Sequence, residues 1–272
     1  MSGTIVYRQA RDGRNTVRAS IGIALALAAV LASSPADARR RPELRPVANP
    51  GAVIAAELGF AQEAKDKGQW TAFRDNAAKD AEMFVPRRVN ARDWLKDRAN
   101  PPAAMTWQPQ VVWSSCDGSY ALTKGAWQGP KGTGYFTTVW RRNKKGDLKW
   151  VLDQGDTLAK PLPQADFVDG NVADCKRGAH GGVPPMYLRE HKDWPKDDET
   201  GLRIAPLPAA LPDTQLPAGA DSRDGRSDDG TLAWRSTVMP DMARRFIAWA
   251  WKDGAWKTVV DSRVAAPQGA AQ

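Results

Sequence analysis

Four segments between Met105 and Asp156 mix apolar and polar residues in the manner of strands, and short turn sequences separate them. The turns are Cys116-Asp117-Gly118, Gly129-Pro130-Lys131-Gly132 and Asn143 to Gly146, whose residue types favour tight reversals. With connections this short, successive strands have to pair as antiparallel neighbours. The run therefore predicts a meander of four strands, formed by MTWQPQVVWSS, DGSYALTKGAW, TGYFTTVWRR and DLKWVLDQGD.

Helical patterns precede these strands. Residues 52–67 repeat apolar side chains at spacings of three and four and stop at Gly68, which predicts a helix. Further elements are expected at 70–78 (helix), 81–86 (strand) and 91–98 (helix). The repeated apolar positions of the first helix are Val53, Ala56, Phe60 and Ala64. Because helices come first and strands follow, the predicted fold class is α+β.

The first 38 residues read as a secretory signal. Four arginines precede an apolar run from Ile21 to Ser33, and Ala36-Asp37-Ala38 supplies a small-residue cleavage pattern. The run is too short to cross a bilayer, which needs about 20 residues. We therefore expect residues 1–38 to be removed, a basic tail over 39–51, and a periplasmic or secreted protein without stable membrane insertion.

The carboxyl-terminal part has a different composition. Residues 159–230 are rich in proline and polar residues and are predicted to be a linker. Residues 231–262 predict a small β-meander that docks on the main domain, and 263–272 a disordered tail. DGSYAL and DGTLAW resemble each other, as do WVLDQGD and TVVDSRV. Either this is an internal repeat, or two meanders use the same turn chemistry.

The order of elements, with TGYFTTVWRR followed by KWVLDQGD, resembles the nuclear transport factor 2-like superfamily, nearest to its SnoaL-like and ketosteroid-isomerase-like branches. The stretch GQWTAFRDNAAKDAEMFVPRRVNARDWL also resembles exported bacterial members of unassigned function. The resemblance covers residues 52–158. It implies a cystatin-like cone, in which a curved antiparallel sheet wraps around the helices and leaves a cavity. The isomerase branch uses a cavity tyrosine on an early element, whereas Tyr135 here lies on a late strand.

Aromatic residues and a threonine are the predicted ligand-binding positions of this cavity. Large rings suit a pocket for a flat ligand, and filling of the core is the alternative role. The residues chosen are Trp70, Trp107, Trp127, Tyr135, Thr137 and Trp140.

Asp153 and Asp156 are the predicted catalytic residues, with salt bridges at the sheet end as the alternative. Strict alternation along KWVLDQGD puts Val151 and Asp153 on one face, and Trp150, Leu152 and Gln154 on the other. A carboxyl group that points into the cavity would have a raised pKa and could act as a base. The two histidines, His180 and His191, lie in the proline-rich segment, so no metal site and no cofactor are expected.

Three classes of function remain open from the sequence. The first is non-catalytic binding of a small apolar or aromatic ligand, or of a partner. The second is an isomerase, cyclase or hydrolase that uses a cavity aspartate, and the third is a structural envelope module with a filled cone. The net charge of +8 is scattered, and no nucleic-acid partner is expected. A homodimer formed through the sheet is an alternative assembly, and Cys116 and Cys175, the only cysteines, are expected to form a disulfide.

Overall fold

The computed structural model describes residues 48–175, 211–212 and 215–267. The predicted signal peptide, both histidines, most of the basic tail and much of the predicted linker lie outside these residues. None of the helices within them is long and apolar enough to cross a membrane.

Three helices form a layer at the start of the described chain: α1 (Pro50–Lys67), α2 (Gln69–Asn76) and α3 (Ala91–Leu95). The side chain of Asn49 accepts a hydrogen bond from the Ala52 N–H at 3.0 Å, which caps α1. Gly68 ends the helix with a φ of 97°, a conformation that glycine adopts without strain. These helices agree with the expected positions to within a few residues, except that α3 ends earlier.

Seven strands form a large mixed sheet in the order β2-β1-β6-β5-β4-β3-β7. The strands are β1 (Ala77–Phe84), β2 (Arg88–Asn90), β3 (Thr106–Ser114), β4 (Tyr120–Gly129), β5 (Gly132–Arg142), β6 (Leu148–Leu158) and β7 (Asp169–Val172). The predicted meander is β3 to β6. The prediction of a wholly antiparallel sheet was wrong, because β1 runs parallel to β6, and β7 runs parallel to β3. Both partners are far apart in sequence, and a long connection allows parallel pairing.

The helices cover one face of the large sheet, here called the inner face. On β5, Trp140 donates from Nε1 to Glu57 of α1 at 3.0 Å. On β6, Trp150 donates from Nε1 to the carbonyl oxygen of Phe73 in α2 at 3.1 Å. Alternation along β5 then places Thr138 on the same inner face, and Thr137 on the opposite, outer face.

A β-bulge at Val151 changes the predicted alternation of β6. Val139 pairs with Leu152 and Trp140 pairs with Trp150, so Val151 is an extra residue. Trp150 therefore shares the inner face with Asp153. The expectation that the two lie on opposite faces was wrong, because strict alternation does not hold across a bulge.

A second sheet of four antiparallel strands packs on the outer face, in the order β11-β10-β9-β8. It comprises β8 (Asp221–Arg226), β9 (Leu232–Val238), β10 (Arg244–Lys252) and β11 (Ala255–Val264). Gln154 of β6 donates from Nε2 to Ser262 Oγ at 2.9 Å, which joins the sheets at a buried position. The outer face of the large sheet is thus covered by the chain itself.

Two strands lie inside the segment predicted to be a linker, residues 159–230. β7 adds to the edge of the large sheet, and β8, with the polar sequence DSRDGR, forms an edge of the small sheet. Backbone pairing with β9 holds β8 in place, so it needs no apolar side chains. Its exposed, charged residues suit an edge strand, which natural proteins protect in this way.

Cys116 and Cys175 form the predicted disulfide, with their Cα atoms 5.1 Å apart and a sequence separation of 59 residues. The bond joins the turn after β3 to the chain just after β7. Closing a loop of this length stabilises the fold by about 4 kcal/mol through the entropy of the unfolded chain. A disulfide also fits an oxidising compartment.

Candidate ligand cavity

A cavity of about 310 Å³ lies between the helices and the inner face of the large sheet. Most of its wall is aromatic or apolar, and a few polar groups come from β6. Its lining residues are Phe60, Phe73, Met105, Trp107, Trp127, Tyr135, Phe136, Asp153, Gln154, Gly155, Asp156 and Thr157. A concave apolar space with a few polar groups is the usual form of a small-molecule site.

The aromatic wall is fixed by contacts between rings of different elements. Phe60 of α1 meets Phe73 of α2 and Trp107 of β3 edge to face, with ring centroids 4.8 and 4.9 Å apart. Trp127 donates from Nε1 to the carbonyl oxygen of Tyr135 at 3.1 Å. This ring lies against Gly134, where an added Cβ would be 2.5 Å from the Trp127 nitrogen. Glycine at that position therefore lets the indole ring lie close to the strand.

Asp153 is the acidic group set most deeply in this wall. Thr138, its cross-strand partner on β5, donates from Oγ1 to Asp153 Oδ2 at 2.8 Å. Burial raises the pKa of Asp153 to about 7; the hydrogen bond from Thr138 opposes the shift, and the negative charge of Glu57 adds to it. The carboxyl group can therefore be either neutral or ionised near pH 7.

Glu57 is a functional candidate that the sequence analysis missed. It is fully buried in α1 and accepts three hydrogen bonds. Trp107 Nε1 donates to Oε1 at 2.7 Å, while Thr123 Oγ1 and Trp140 Nε1 donate to Oε2 at 2.5 and 3.0 Å. Burial raises the pKa of Glu57, and these three hydrogen bonds oppose the shift.

The contact with Trp107 gives Glu57 an influence on the cavity, because Trp107 forms part of the wall. The carboxylate holds the indole ring by its only polar atom and thus fixes its orientation. The sequence did carry a signal for this residue. Glu57 occurs four residues after Val53 and three before Phe60, so it lies within the buried stripe of α1. A carboxylate at such a position needs partners in the core.

Five of the eight predicted site residues meet at this cavity. They are Trp107, Trp127, Tyr135, Asp153 and Asp156. Tyr135 belongs to the outer-face set of β5 but reaches the rim, where its hydroxyl donates to the carbonyl oxygen of Arg263 at 3.3 Å. Asp156 accepts from the Thr157 N–H at 2.8 Å.

The other three predicted residues lie apart from the described cavity lining. Trp70 packs edge to face on Phe73 and Trp94, at 5.6 Å from each. Trp140 is fully buried behind the wall, against Glu57. Thr137 is buried on the outer face of β5, under the small sheet.

A second concavity of about 380 Å³ shares Trp107 but is mainly polar. Gln108, Gln110, Gln128 and Gln164 contribute to its wall, and Gln110 is already bound to the carbonyl oxygen of Pro163 at 2.7 Å. Within the described residues, no group of three or more His, Cys, Asp or Glu side chains could hold a metal ion.

No protein-family model matches the sequence, and no curated protein matches it. Solved structures match part of the chain. A candidate ketosteroid isomerase from Parabacteroides distasonis has 15% identity and a TM-score of 0.34, and the match covers 42% of this chain and 97% of that one. ActVI-ORFA from Streptomyces coelicolor has 10% identity and a TM-score of 0.32, with 39% and 94% covered.

A second candidate ketosteroid isomerase, from Kribbella flavida, has 15% identity and a TM-score of 0.30, with 42% of this chain and 84% of that one covered. Each of these three matches covers less than half of this chain, at an identity of 15% or lower.

Replacing Glu57 by Gln is expected to lower the free energy of unfolding by about 1–3 kcal/mol. A glutamine has one accepting oxygen, and its amide N–H₂ would face an indole N–H on one side, either that of Trp107 or that of Trp140. Trp140→Phe removes one of these donors, so the loss caused by Glu57→Gln should be smaller in that background. Urea unfolding of the four proteins of this double-mutant cycle measures the difference.

Glu63→Gln is the matched control, because Glu63 lies on the same helix and pairs with Lys67 and Asn76 near the surface. It is expected to change stability by less than about 1 kcal/mol. Equal effects of Glu57→Gln and Glu63→Gln would contradict the role given to the buried carboxylate.

Proposed function

We propose that the cavity binds a small, ring-containing, mostly apolar molecule, which is oriented by one hydrogen bond to Asp153. The volume of about 310 Å³ suits a ligand of two or three fused rings, and the aromatic wall offers flat contact surfaces. A cavity of this size argues against the third class of function, a cone filled by its own side chains.

The observation that carries this proposal is the position of Asp153 in an aromatic wall without a neutralising cation. Of the described residues that line the cavity, none is basic. The polar contact of the Asp153 carboxyl group is Thr138, a neutral hydroxyl. A ligand hydroxyl could therefore donate to the ionised carboxylate, and a ligand carbonyl could accept from the protonated acid.

Proton transfer is the second candidate function, and it rests on the raised pKa of Asp153. A general base works best when its pKa is close to the working pH, and burial brings this carboxyl group to about 7. In this reading Asp153 removes a proton from carbon next to the carbonyl group of a bound ketone. Asp156, at the rim, lies too near the solvent-exposed strand end to be the first choice for this role.

We also propose that the protein works outside the cytoplasm. The disulfide between Cys116 and Cys175 supports this location, together with the signal expected over residues 1–38.

Binding of 2-naphthol is expected to tighten between pH 6 and pH 8.5, because Asp153 loses its proton with a pKa of about 7 and then accepts the naphthol hydroxyl. Asp153→Asn removes the charge and should weaken binding at pH 8.5 by roughly ten- to a hundredfold, the usual range for a hydrogen bond to an ionised group. Naphthalene, which has no hydroxyl, should bind both proteins equally. Isothermal titration calorimetry measures all four affinities.

Asp261→Asn is the matched control, since Asp261 is an aspartate of β11 that pairs with Arg245 at 2.8 Å. It should leave both affinities unchanged. If neither probe binds, the binding function is refuted. If both bind but Asp153→Asn has no effect, the cavity binds ligands and Asp153 does not orient them.

For proton transfer, the protein should speed the exchange of the α-protons of 2-tetralone with deuterium in D₂O, as followed by proton NMR. Asp153→Asn should reduce this acceleration by at least about a hundredfold, since a positioned base contributes roughly 10²–10⁴. Exchange as slow as in buffer with the wild-type protein would exclude this ketone chemistry and leave the binding function in place.

A further inference from the structure

Two turns that lie 112 residues apart in the chain have the same sequence pattern and share a set of internal hydrogen bonds. Ser115-Cys116-Asp117-Gly118-Ser119 follows β3, and Ser227-Asp228-Asp229-Gly230-Thr231 follows β8. In each, the aspartate Oδ1 accepts from the first serine hydroxyl and from the backbone N–H and hydroxyl of the last residue. In each, the glycine N–H donates to the carbonyl oxygen of the first serine.

The two turns also bind each other reciprocally. The Asp117 N–H donates to Asp229 Oδ2 at 2.9 Å, and the Asp229 N–H donates to Asp117 Oδ2 at 2.9 Å. A second reciprocal pair joins neighbouring residues: the Cys116 N–H donates to Thr231 Oγ1, and the Asp228 N–H donates to Ser119 Oγ, each at 3.0 Å. Such exchange of equivalent contacts is what a two-fold axis between identical surfaces produces.

The strands that follow the turns continue the correspondence. In each set of four strands, the last strand carries a bulge at a valine, Val151 in β6 and Val259 in β11. In both cases an aspartate follows two residues later, Asp153 and Asp261. On the partner strands, the register shifts after Val139 of β5 and after Ala248 of β10. The next residue in each of these strands is a tryptophan. β3 to β6 and β8 to β11 therefore match strand for strand.

The contacts between the two sheets obey the same symmetry away from the turns. Tyr135 of β5 donates to the carbonyl oxygen of Arg263 in β11, and Arg244 of β10 donates to the carbonyl oxygen of Gly155 in β6 at 3.2 Å. By the strand alignment, Tyr135 corresponds to Arg244 and Gly155 to Arg263. Gln154 corresponds to Ser262, and these two contact each other directly, as residues on a two-fold axis do.

We infer that β8 to β11 is an internal repeat of β3 to β6, and that it occupies the position where a second copy of the large sheet would otherwise dock. The chain is thus a pseudo-dimer with its isologous interface closed within one molecule. The outer face of the large sheet takes no external partner, and the protein is a monomer.

The inner-face positions of the repeat have diverged. Asp261, which corresponds to Asp153, pairs with Arg245 at 2.8 Å, and Arg245 corresponds to Phe136 of the cavity wall. Ile247 stands where Thr138 binds Asp153. The second copy has therefore kept the interface and lost the uncompensated acid.

Sedimentation velocity of the purified protein tests the closed interface. A single species with the mass of one chain is expected at every protein concentration. A dimer at any concentration would overturn the proposal, since the exposed partner face that it needs should not exist.

The equivalence of the turns has its own test. Asp117→Asn and Asp229→Asn each keep the Oδ1 acceptor but turn an amide N–H₂ toward the N–H of the other turn, so each breaks one inter-sheet hydrogen bond. Both variants are expected to lower the melting temperature, Asp229→Asn the more, because its Oδ2 also accepts from the Thr231 hydroxyl at 3.0 Å. Asp147→Asn, in the exposed turn between β5 and β6, should change it much less. If only one of Asp117→Asn and Asp229→Asn lowered the melting temperature and the other were as mild as Asp147→Asn, the turns would not be equivalent and the repeat would be refuted.

Discussion

A carboxylate in a protein core has to receive hydrogen bonds, and the three donors around Glu57 come from three different strands. Trp107 lies on β3, Thr123 on β4 and Trp140 on β5, so this one side chain ties α1 to three of the seven strands of the large sheet. If the carboxylate were lost, the Trp107 N–H would remain buried without an acceptor, which costs about 1–3 kcal/mol. The Trp140 N–H would keep only Thr123 Oγ1, at 3.2 Å. The position of α1, and with it that of Phe60 in the cavity wall, depends on this cluster.

The two faces of β5 and β6 have different roles. On the inner face, Asp153 lines the cavity and Thr138 binds its carboxyl group, while their neighbours Thr137 and Gln154 are buried against the small sheet. A strand with both faces buried has little freedom to move, so the small sheet acts as a rigid support behind the acid. Arg88 adds a further link, since its buried guanidinium contacts Asp221 of β8 at 2.8 Å.

The parts of the fold that could be predicted from the sequence depend on local chemistry. Glycine and aspartate turns marked β3 to β6 correctly, and the apolar stripe and Gly68 marked α1. The prediction that Trp150 and Asp153 lie on opposite faces was wrong, because a bulge is set by pairing with the neighbouring strand and leaves little trace in a single segment. β8 was read as linker for a related reason: its polar residues form a strand only because β9 supplies a pairing edge.

At the site, Asp153 was predicted because strand alternation could point its carboxyl group into the cavity, and it does line the cavity. Glu57 was missed because it stood among expected helix positions. Strand alternation alone did not show which tryptophans line the cavity wall and which lie in the core. The internal repeat was visible in the sequence only as two short similarities. Its meaning depends on the reciprocal contacts of Asp117 and Asp229, which are far apart in the chain.

The central claim is that the fold buries one acid of the repeated pair without a cation and gives the other an arginine. Carbon-13 NMR of the side-chain carboxyl groups, titrated with pH, measures this directly. Burial predicts that Asp153 titrates near pH 7, whereas the arginine beside Asp261 lowers the pKa of that carboxyl group below its usual value. If Asp153 titrated near pH 4, as an exposed aspartate does, the account of the cavity would be contradicted.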